Sequence, residues 1–343
     1  MAKRKVNIKD VAARANVHPS TVSRVLNPDT RSMVSTVVAA RVAQTADEMG
    51  YTRSALAYGL RTGRTHTVGV LIPDLTNPMF PPIIRGIQRS LAEHGYIAIL
   101  TDSDNNRKNE KAIVEMLKSR HVDGLILATA HRLDSIANIG VEEHMALVLV
   151  NRTIDSRSVT AVINDDEHGI DLVVSHLVGL GHQSIAYIGG PQDTTTGHDR
   201  YLAFKKLLRN GQFKSHTDLI LNCKAFTEAE GYRGFLTILR KGRKFSAVVA
   251  ANDLLALGCY DALLEFGLDC PGDISVTGFS DMPFMDRLTP PLTTLHIPLD
   301  EIGVQSGKLL MERISNPESP VRTVNLLPEL IVRASTAPPA IQK

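Results

Sequence analysis

Residues 7–27, Asn7-Ile8-Lys9-Asp10-Val11-Ala12-Ala13-Arg14-Ala15-Asn16-Val17-His18-Pro19-Ser20-Thr21-Val22-Ser23-Arg24-Val25-Leu26-Asn27, decide how this chain of 343 residues is read. Ile8, Val11, Ala12 and Ala15 recur at the spacing that lines one face of a helix. Asn16-Val17 makes a tight break. Pro19 then fits the first turn of a second helix, where its missing N–H has no intrahelical partner to lose. In that helix, running to about Leu26, Val22, Val25 and Leu26 turn inward and leave Pro19, Ser20, Thr21, Ser23 and Arg24 on the outer face and amino-terminal end. A third helix is predicted from Ser35, whose hydroxyl can cap it, through Val38, Val42 and Ala46 to Gly50, which ends it.

Two short helices around a tight turn make a helix-turn-helix, whose second helix meets base edges in the major groove. Arg24 is the natural base reader, because a guanidinium bridges guanine O6 and N7. A small solvated helical bundle without a ligand has the same periodicity, but charge counts against it. Residues 1–66 hold eleven Lys or Arg and four acids, a net +7, so a total of +2 leaves −5 on the remainder. A cationic head on a mildly acidic body is the footprint of phosphate binding.

Ile8-Lys9-Asp10-Val11-Ala12, Thr21-Val22-Ser23-Arg24-Val25-Leu26-Asn27 and Gly50-Tyr51 resemble the amino-terminal signature of the lac-repressor (LacI/GalR) family. The resemblance extends through Leu60-Arg61-Thr62-Gly63-Arg64-Thr65, Val68-Gly69-Val70, Gly181-His182, Ile188-Gly189-Gly190-Pro191, Ala251-Asn252-Asp253 and Pro290-Pro291-Leu292-Thr293-Thr294. Two positions depart from it. His18 stands where most members carry a polar cap, commonly Ser, and Val38-Ala39 where they carry a Thr-Arg pair. With the resemblance, the expected DNA-facing set is Ile8, His18, Pro19, Ser20, Thr21, Ser23, Arg24, Asn27 and Arg31, joined by Ser54, Ala57 and Leu60 of a hinge. Ser54–Leu60 is about two helical turns, too short to be stable alone in water, and Gly59 weakens it by roughly another 1 kcal/mol relative to Ala. The resemblance makes Leu60 a wedge that enters the minor groove beside Ala57 and kinks the duplex. A linker whose Leu60 merely docks on the body is the plainer alternative.

From about His66 short apolar strands alternate with amphipathic helical stretches, the βαβ rhythm of a parallel sheet covered by helices. Strands are predicted at 68–72, 97–100, 124–127 and 147–150, then at 185–188, 219–221, 247–250 and 274–277. The expected fold class is therefore α/β: an all-α helix-turn-helix headpiece (1–53), a hinge (54–65) and a body (66–343). The body's length suggests two lobes. The resemblance supplies their form, periplasmic-binding-protein-like, with lobe 1 about 66–165 and 296–327 and lobe 2 about 166–295 and 328–337.

Ligands of open α/β sheets bind beyond the carboxyl ends of the strands. The polar residues there are Asp74, Asp102, Asn151, Arg152, Thr194, Thr196, Asn252, Asp253 and Ser280. By resemblance Phe80 stacks on the effector, Arg200 hydrogen-bonds it, Phe226 lines the second lobe, and Ser280 replaces an Asp that in many members grips sugar hydroxyls. Two arginines without a carboxylate at 280 favour a sugar acid, a sugar phosphate or another small polar metabolite over a plain hexose. Alternatively, Arg152 and Arg200 are held in ion pairs, with Asp199 or Asp253 as partners, and Asp253 simply caps the next helix.

Cys223, Cys259 and Cys270 have no metal-ligand spacing and fit reduced thiols, so a cytoplasmic setting is expected. Met1-Ala2-Lys3-Arg4-Lys5 has no apolar run behind it, and no stretch approaches about 18 apolar residues, so neither a signal peptide nor a membrane span is expected. The sequence lacks H-E-x-x-H, G-x-x-x-x-G-K-[ST] and G-x-S-x-G, so no enzyme, metal or cofactor is expected. A solute-binding protein without a DNA role and a sugar-metabolising enzyme are the competing classes; the basic head argues against the first, the missing nucleotide motif against the second. The expected partners are a pseudopalindromic double-stranded DNA operator, a small-molecule effector and a second copy of the chain. One headpiece buries too little surface for tight specific binding, which calls for a homodimer, and the proline-bearing tail after Arg333 has no heptads to make a tetramer.

Overall fold

The computed structural model describes residues 6–51, 63–134 and 145–340. The chain divides into two compact units, Met1–Thr65 and His66–Lys343.

In the first unit the described helices are α1 (Ile8–Arg14), α2 (Pro19–Val25), α3 (Pro28–Arg31) and α4 (Thr36–Glu48). Their core is Val11, Ala12, Ala15, Val22, Val25, Ala39, Val42 and Ala46, the inward face that the periodicity marks out, with Leu26 partly buried against it. Asn7 caps α1 in a capping box: its Oδ1 accepts from the amides of Lys9 and Asp10, and Asp10 Oδ2 accepts from the amide of Asn7. Two features differ from the sequence expectation. Ser35 makes no side-chain cap on α4, so that helix starts without the hydroxyl bond. His18, by contrast, is itself the cap of α2, its Nδ1 accepting from the amide of Ser20.

In the second unit β1 (Thr67–Ile72), β2 (Ile97–Asp102), β3 (Gly124–Leu127), β4 (Ala146–Val150), β5 (Ala161–Asn164) and β11 (Thr323–Leu326) form a parallel sheet ordered β11-β5-β4-β3-β1-β2. A second parallel sheet, ordered β7-β6-β8-β9, holds β6 (Ile185–Gly189), β7 (Ile220–Asn222), β8 (Ala247–Ala250) and β9 (Ser275–Thr277). β10 (Thr294–His296) pairs with β12 (Glu329–Ile331) as an antiparallel ribbon. β1, β3 and β8 are buried along most or all of their length, as strands covered on both faces must be. The helices are α5 (Phe80–Ala92), α6 (Arg107–Ser119), α7 (Asp166–Gly179), α8 (Thr195–Arg209), α9 (Glu228–Leu239), α10 (Asp253–Phe266) and α11 (Leu299–Ser315).

After β9 the chain returns to the first sheet, where α11 packs on α5 and β11 pairs with β5. The helix contact is close because Gly86 and Gly303 face each other's helix: a Cβ on Gly303 would lie 2.0 Å from the carbonyl oxygen of Ile83. The tail is sewn to the second sheet, Ser335 Oγ donating to Val276 O and His182 Nε2 meeting Ala337 O. In each sheet the strand order reverses direction beside the first strand, between β1 and β3 and between β6 and β8. Such switch points open a crevice at the carboxyl ends.

Candidate functional site

On the first unit, α2 presents a polar outer face. His18, Ser20 and Arg24 are exposed, Pro19, Thr21 and Ser23 half-buried, and Arg31 of α3 is exposed. His18 Nδ1 also lies 2.8 Å from Ser20 Oγ. With Nδ1 accepting from the Ser20 amide, the neutral ring carries its proton on Nε2, a donor. Ile8 is half-buried against the helical core, and Asn27 is buried, so both are placed to hold the unit together. Ser54, Ala57 and Leu60 lie outside the described residues.

In the second unit a cavity of about 200 Å³ opens at the carboxyl ends of both sheets. Its wall is built from the loops that follow the strands. Asp74 and Phe80 come from the loop after β1 and the start of α5, Asn151 and Arg152 follow β4, Thr194 and Thr196 follow β6, and Phe226, Asn252 and Ser280 follow β7, β8 and β9. Arg200 reaches it from the second turn of α8. Ten of the twelve residues expected at the effector site are thus brought together there. Asp102 and Asp253 are not in the wall. Asp102 accepts from the amides of Leu75 and Asp104 and so shapes the loop after β1. Asp253 is 0% exposed, taking the hydroxyl of Thr294 at 2.5 Å and the amide of Met282 at 2.8 Å. Burial pushes its carboxyl up to about 6, against those hydrogen bonds.

The cavity also contains residues that the sequence reading did not select: Asn105 and Arg107 beyond β2, His131 beyond β3, Asp193, and Lys224 beyond β7. The carboxyl-end rule was signal enough for these, since each follows a strand by a few positions. The two acids of the wall are already engaged. Asp74 Oδ1 accepts from the amide and hydroxyl of Thr76, and Asp193 Oδ2 is 3.1 Å from Nδ1 of His131. Glu110, 3.8 Å from Nε2, together with Asp193, holds the His131 ring above its ordinary pKa although it is partly buried.

The two arginines differ sharply. Arg200, 3% exposed, donates through Nε and Nη2 to Asp166 Oδ1 at 2.9 and 2.8 Å and through Nη1 to Ala251 O at 2.5 Å, with its guanidinium 3.6 Å over the ring of Phe279. It is therefore ion-paired, with Asp166 and not with Asp199 or Asp253. Burial outweighs the pull of Arg200 and lifts the Asp166 carboxyl to about 6. Arg152 is 9% exposed, yet among the described residues no carboxylate lies in salt-bridge range and its Nε has no partner. Burial lowers its pKa to about 10, which leaves it charged at neutral pH. It follows Asn151, whose φ of 63° turns the chain at the end of β4.

Phe226 lies across Gly190, where a Cβ would come 2.2 Å from its ring, so the glycine allows an aromatic wall close to the backbone. No group of three His, Cys, Asp or Glu residues suited to a metal ion occurs among the described residues, and no described helix is long and apolar enough to cross a membrane. Cys223, Cys259 and Cys270 are free thiols.

Residues 7–54 match the family described as bacterial regulatory proteins, lacI family, and residues 174–336 match a periplasmic binding protein-like domain. The ribose operon repressor of Escherichia coli (strain K12) is 32% identical over 329 residues, 96% of this chain and 99% of that protein. The HTH-type transcriptional repressor PurR of Edwardsiella ictaluri is 31% identical over 332 residues, 96% of each chain. Among solved structures, the lac repressor dimer bound to operator and the anti-inducer ONPF aligns with a TM-score of 0.86 at 26% identity, over 97% of this chain and 100% of that one. A regulator of the same family from Enterococcus faecium with bound ribose aligns with a TM-score of 0.68 at 32% identity, over 79% and 99%.

Proposed function

Because the chain belongs to the LacI family of bacterial regulatory proteins, we propose that it is a homodimeric repressor whose grip on a pseudopalindromic operator is set by a small polar metabolite. One observation carries this reading: a single chain joins a cationic helix-turn-helix to a polar cavity at the switch points of two parallel sheets. In this reading α2 enters the major groove with Arg24 on a base edge, His18 and Ser20 lie by the phosphates, and Ser54, Ala57 and Leu60 work in the minor groove. The metabolite, a sugar, sugar acid or sugar phosphate, meets Phe80 and Phe226 with its faces and Asn151, Arg200 and Asn252 with its polar edge. No catalytic step is assigned to these residues.

A bound metabolite shifts operator affinity only by its differential affinity for two states of the protein, typically about 1–3 kcal/mol. The test is selection of genomic fragments by the purified protein, followed by operator titration at fixed salt with and without each metabolite of a panel. Preference for one fragment, changed five-fold or more by one metabolite, is expected. Binding of all fragments with equal affinity refutes the proposal.

A further inference from the structure

We propose that the metabolite carries an anionic group, a carboxylate or a phosphate, seated between the guanidinium of Arg152 and the amino end of α8. The inference rests on the reading of the cavity as the effector site and narrows what that site accepts.

The first observation is the unpaired buried cation. Retaining a charge away from water without a partner is costly, and proteins ordinarily give such a group a counter-ion. Arg200, a few residues away in the same wall, has Asp166. Arg152 has no counterpart: its Nε is sealed and unpartnered, and no hydrogen bond from its guanidinium occurs among the described residues. Asp193 and Glu110 act on it through space but are themselves turned to His131. With Arg200 paired to Asp166 and Arg107 to Asp134, and Lys224 exposed to solvent, Arg152 is the buried cation of this wall left without a counter-ion.

The second observation is independent of Arg152. Several helices begin at the cavity, and their first turns are not equivalent. α5 opens Phe80-Pro81-Pro82, so two of its first amides are missing. α6 carries Glu110 in its first turn, α9 carries Glu228 and Glu230, and α10 carries Asp253. α8 has no acid there. Thr194 caps it by accepting from the amide of Gly197, and the amides of Thr195 and Thr196 have no acceptor among the described residues. Unspent amides and the positive end of the helix dipole favour an anion. The two features adjoin, because the amide of Thr153 donates to Thr195 Oγ1 at 3.1 Å and so fastens the residue after Arg152 to the first residue of α8.

The experiment is calorimetry on the full chain with matched probes: ribose against ribose 5-phosphate, and glucose against gluconate, glucuronate and glucose 6-phosphate. At least one charged probe is expected to bind ten-fold or more tightly than its neutral counterpart, and the carboxylate and phosphate arms tell which anion the seat fits. Arg152→Gln is expected to weaken that probe roughly 10- to 100-fold, the usual worth of a charged hydrogen bond, while Arg152→Lys retains part of the preference. Because no partner is orphaned, Arg152→Gln is expected to unfold at the same temperature as the parent or higher, which separates loss of binding from loss of fold. Tighter binding of a neutral sugar than of its acid, failure of every charged probe to bind, or an Arg152→Gln variant that keeps the parent's preference overturns the proposal. Each leaves the regulator reading intact, since that reading stands or falls on operator selectivity.

Discussion

Asp166→Ala removes the carboxylate that holds Arg200 and leaves a guanidinium 3% exposed without its counter-ion. Two unit charges at about 4 Å attract by about 4 kcal/mol at an effective dielectric constant of 20. The carbonyl of Ala251 and the ring of Phe279 still hold Arg200, and a desolvated cation–π contact is worth about 2 kcal/mol. The loss should therefore fall near the lower end of the range for a broken buried pair, about 3 kcal/mol. For a body of this size that corresponds to a drop in Tm of roughly 6–12 °C. The pair as a unit is different: the Asp166 carboxyl rises to about 6 even with Arg200 beside it, so desolvation outweighs the attraction. Asp166→Leu combined with Arg200→Met should accordingly return to within about 1 kcal/mol of the parent. Thermal and urea unfolding followed by circular dichroism check both variants. A single variant that loses less than about 1 kcal/mol, or a double variant as unstable as the two single changes added together, refutes the argument.

Three other outcomes are expected. Arg24→Ala should weaken operator binding by about 1–3 kcal/mol and relax discrimination at one base pair; titration of single-base operator variants checks it, and an equal loss on all of them would mean a phosphate contact. Leu60→Ala should cost specific binding about 1–3 kcal/mol while sparing nonspecific binding, and gel-shift curves that coincide with the parent's at fixed salt remove the wedge. Asp253 gives a pH dependence. Its folded pKa of about 6 lies above the unfolded 3.8, so the native state keeps a proton that the unfolded chain has lost. Its contribution is intact below pH 3.8, falls by about 3 kcal/mol as pH rises to 6 and is constant above. Urea unfolding of Asp253→Asn between pH 4 and 7 should show that slope removed relative to the parent; parallel curves for the two proteins contradict it.

What the sequence made legible follows from periodicity. Val22, Val25 and the residues around them repeat at helical spacing and do form the headpiece core, and the eight predicted body strands all exist: six are buried as parallel strands covered on both faces must be, and the more exposed edge strands β2 and β7 still carry short apolar runs. β5, β10, β11 and β12 escaped although they are no shorter than β3, β7, β8 and β9; in β10, β11 and β12 an exposed polar residue, His296, Asn325 or Glu329, takes up part of a run of three or four. At the site, position after a strand was a good guide to which residues meet, but partners were not legible. Nothing at residue 200 announces Asp166, 34 positions earlier, because their meeting depends on how α7 and α8 pack. Asp253 illustrates the same limit. A carboxylate after a strand looks like a ligand group, and only Thr294, 41 positions away, shows it turned into the core. His18 was legible as a departure from a family pattern, but its Nδ1 restores the lost cap by other chemistry.

The charge arrangement bears on how a ligand in the proposed seat could act on the fold. Arg152 belongs to the end of β4 in the first sheet, and the amino end of α8 follows β6 in the second. An anion held by both joins elements of two sheets, and its binding supplies the counter-ion that Arg152 lacks. The free energy of that neutralisation depends on how completely water is excluded, so it is largest where the two elements are drawn together over the ligand. A neutral sugar making the same hydroxyl contacts gains far less from such an approach, because its hydrogen bonds exchange nearly evenly with those of water. Allosteric control needs a ligand that distinguishes two arrangements of the protein, not one that merely binds tightly. An unpaired cation buried at the meeting of two sheets makes charge the property by which this cavity can do so.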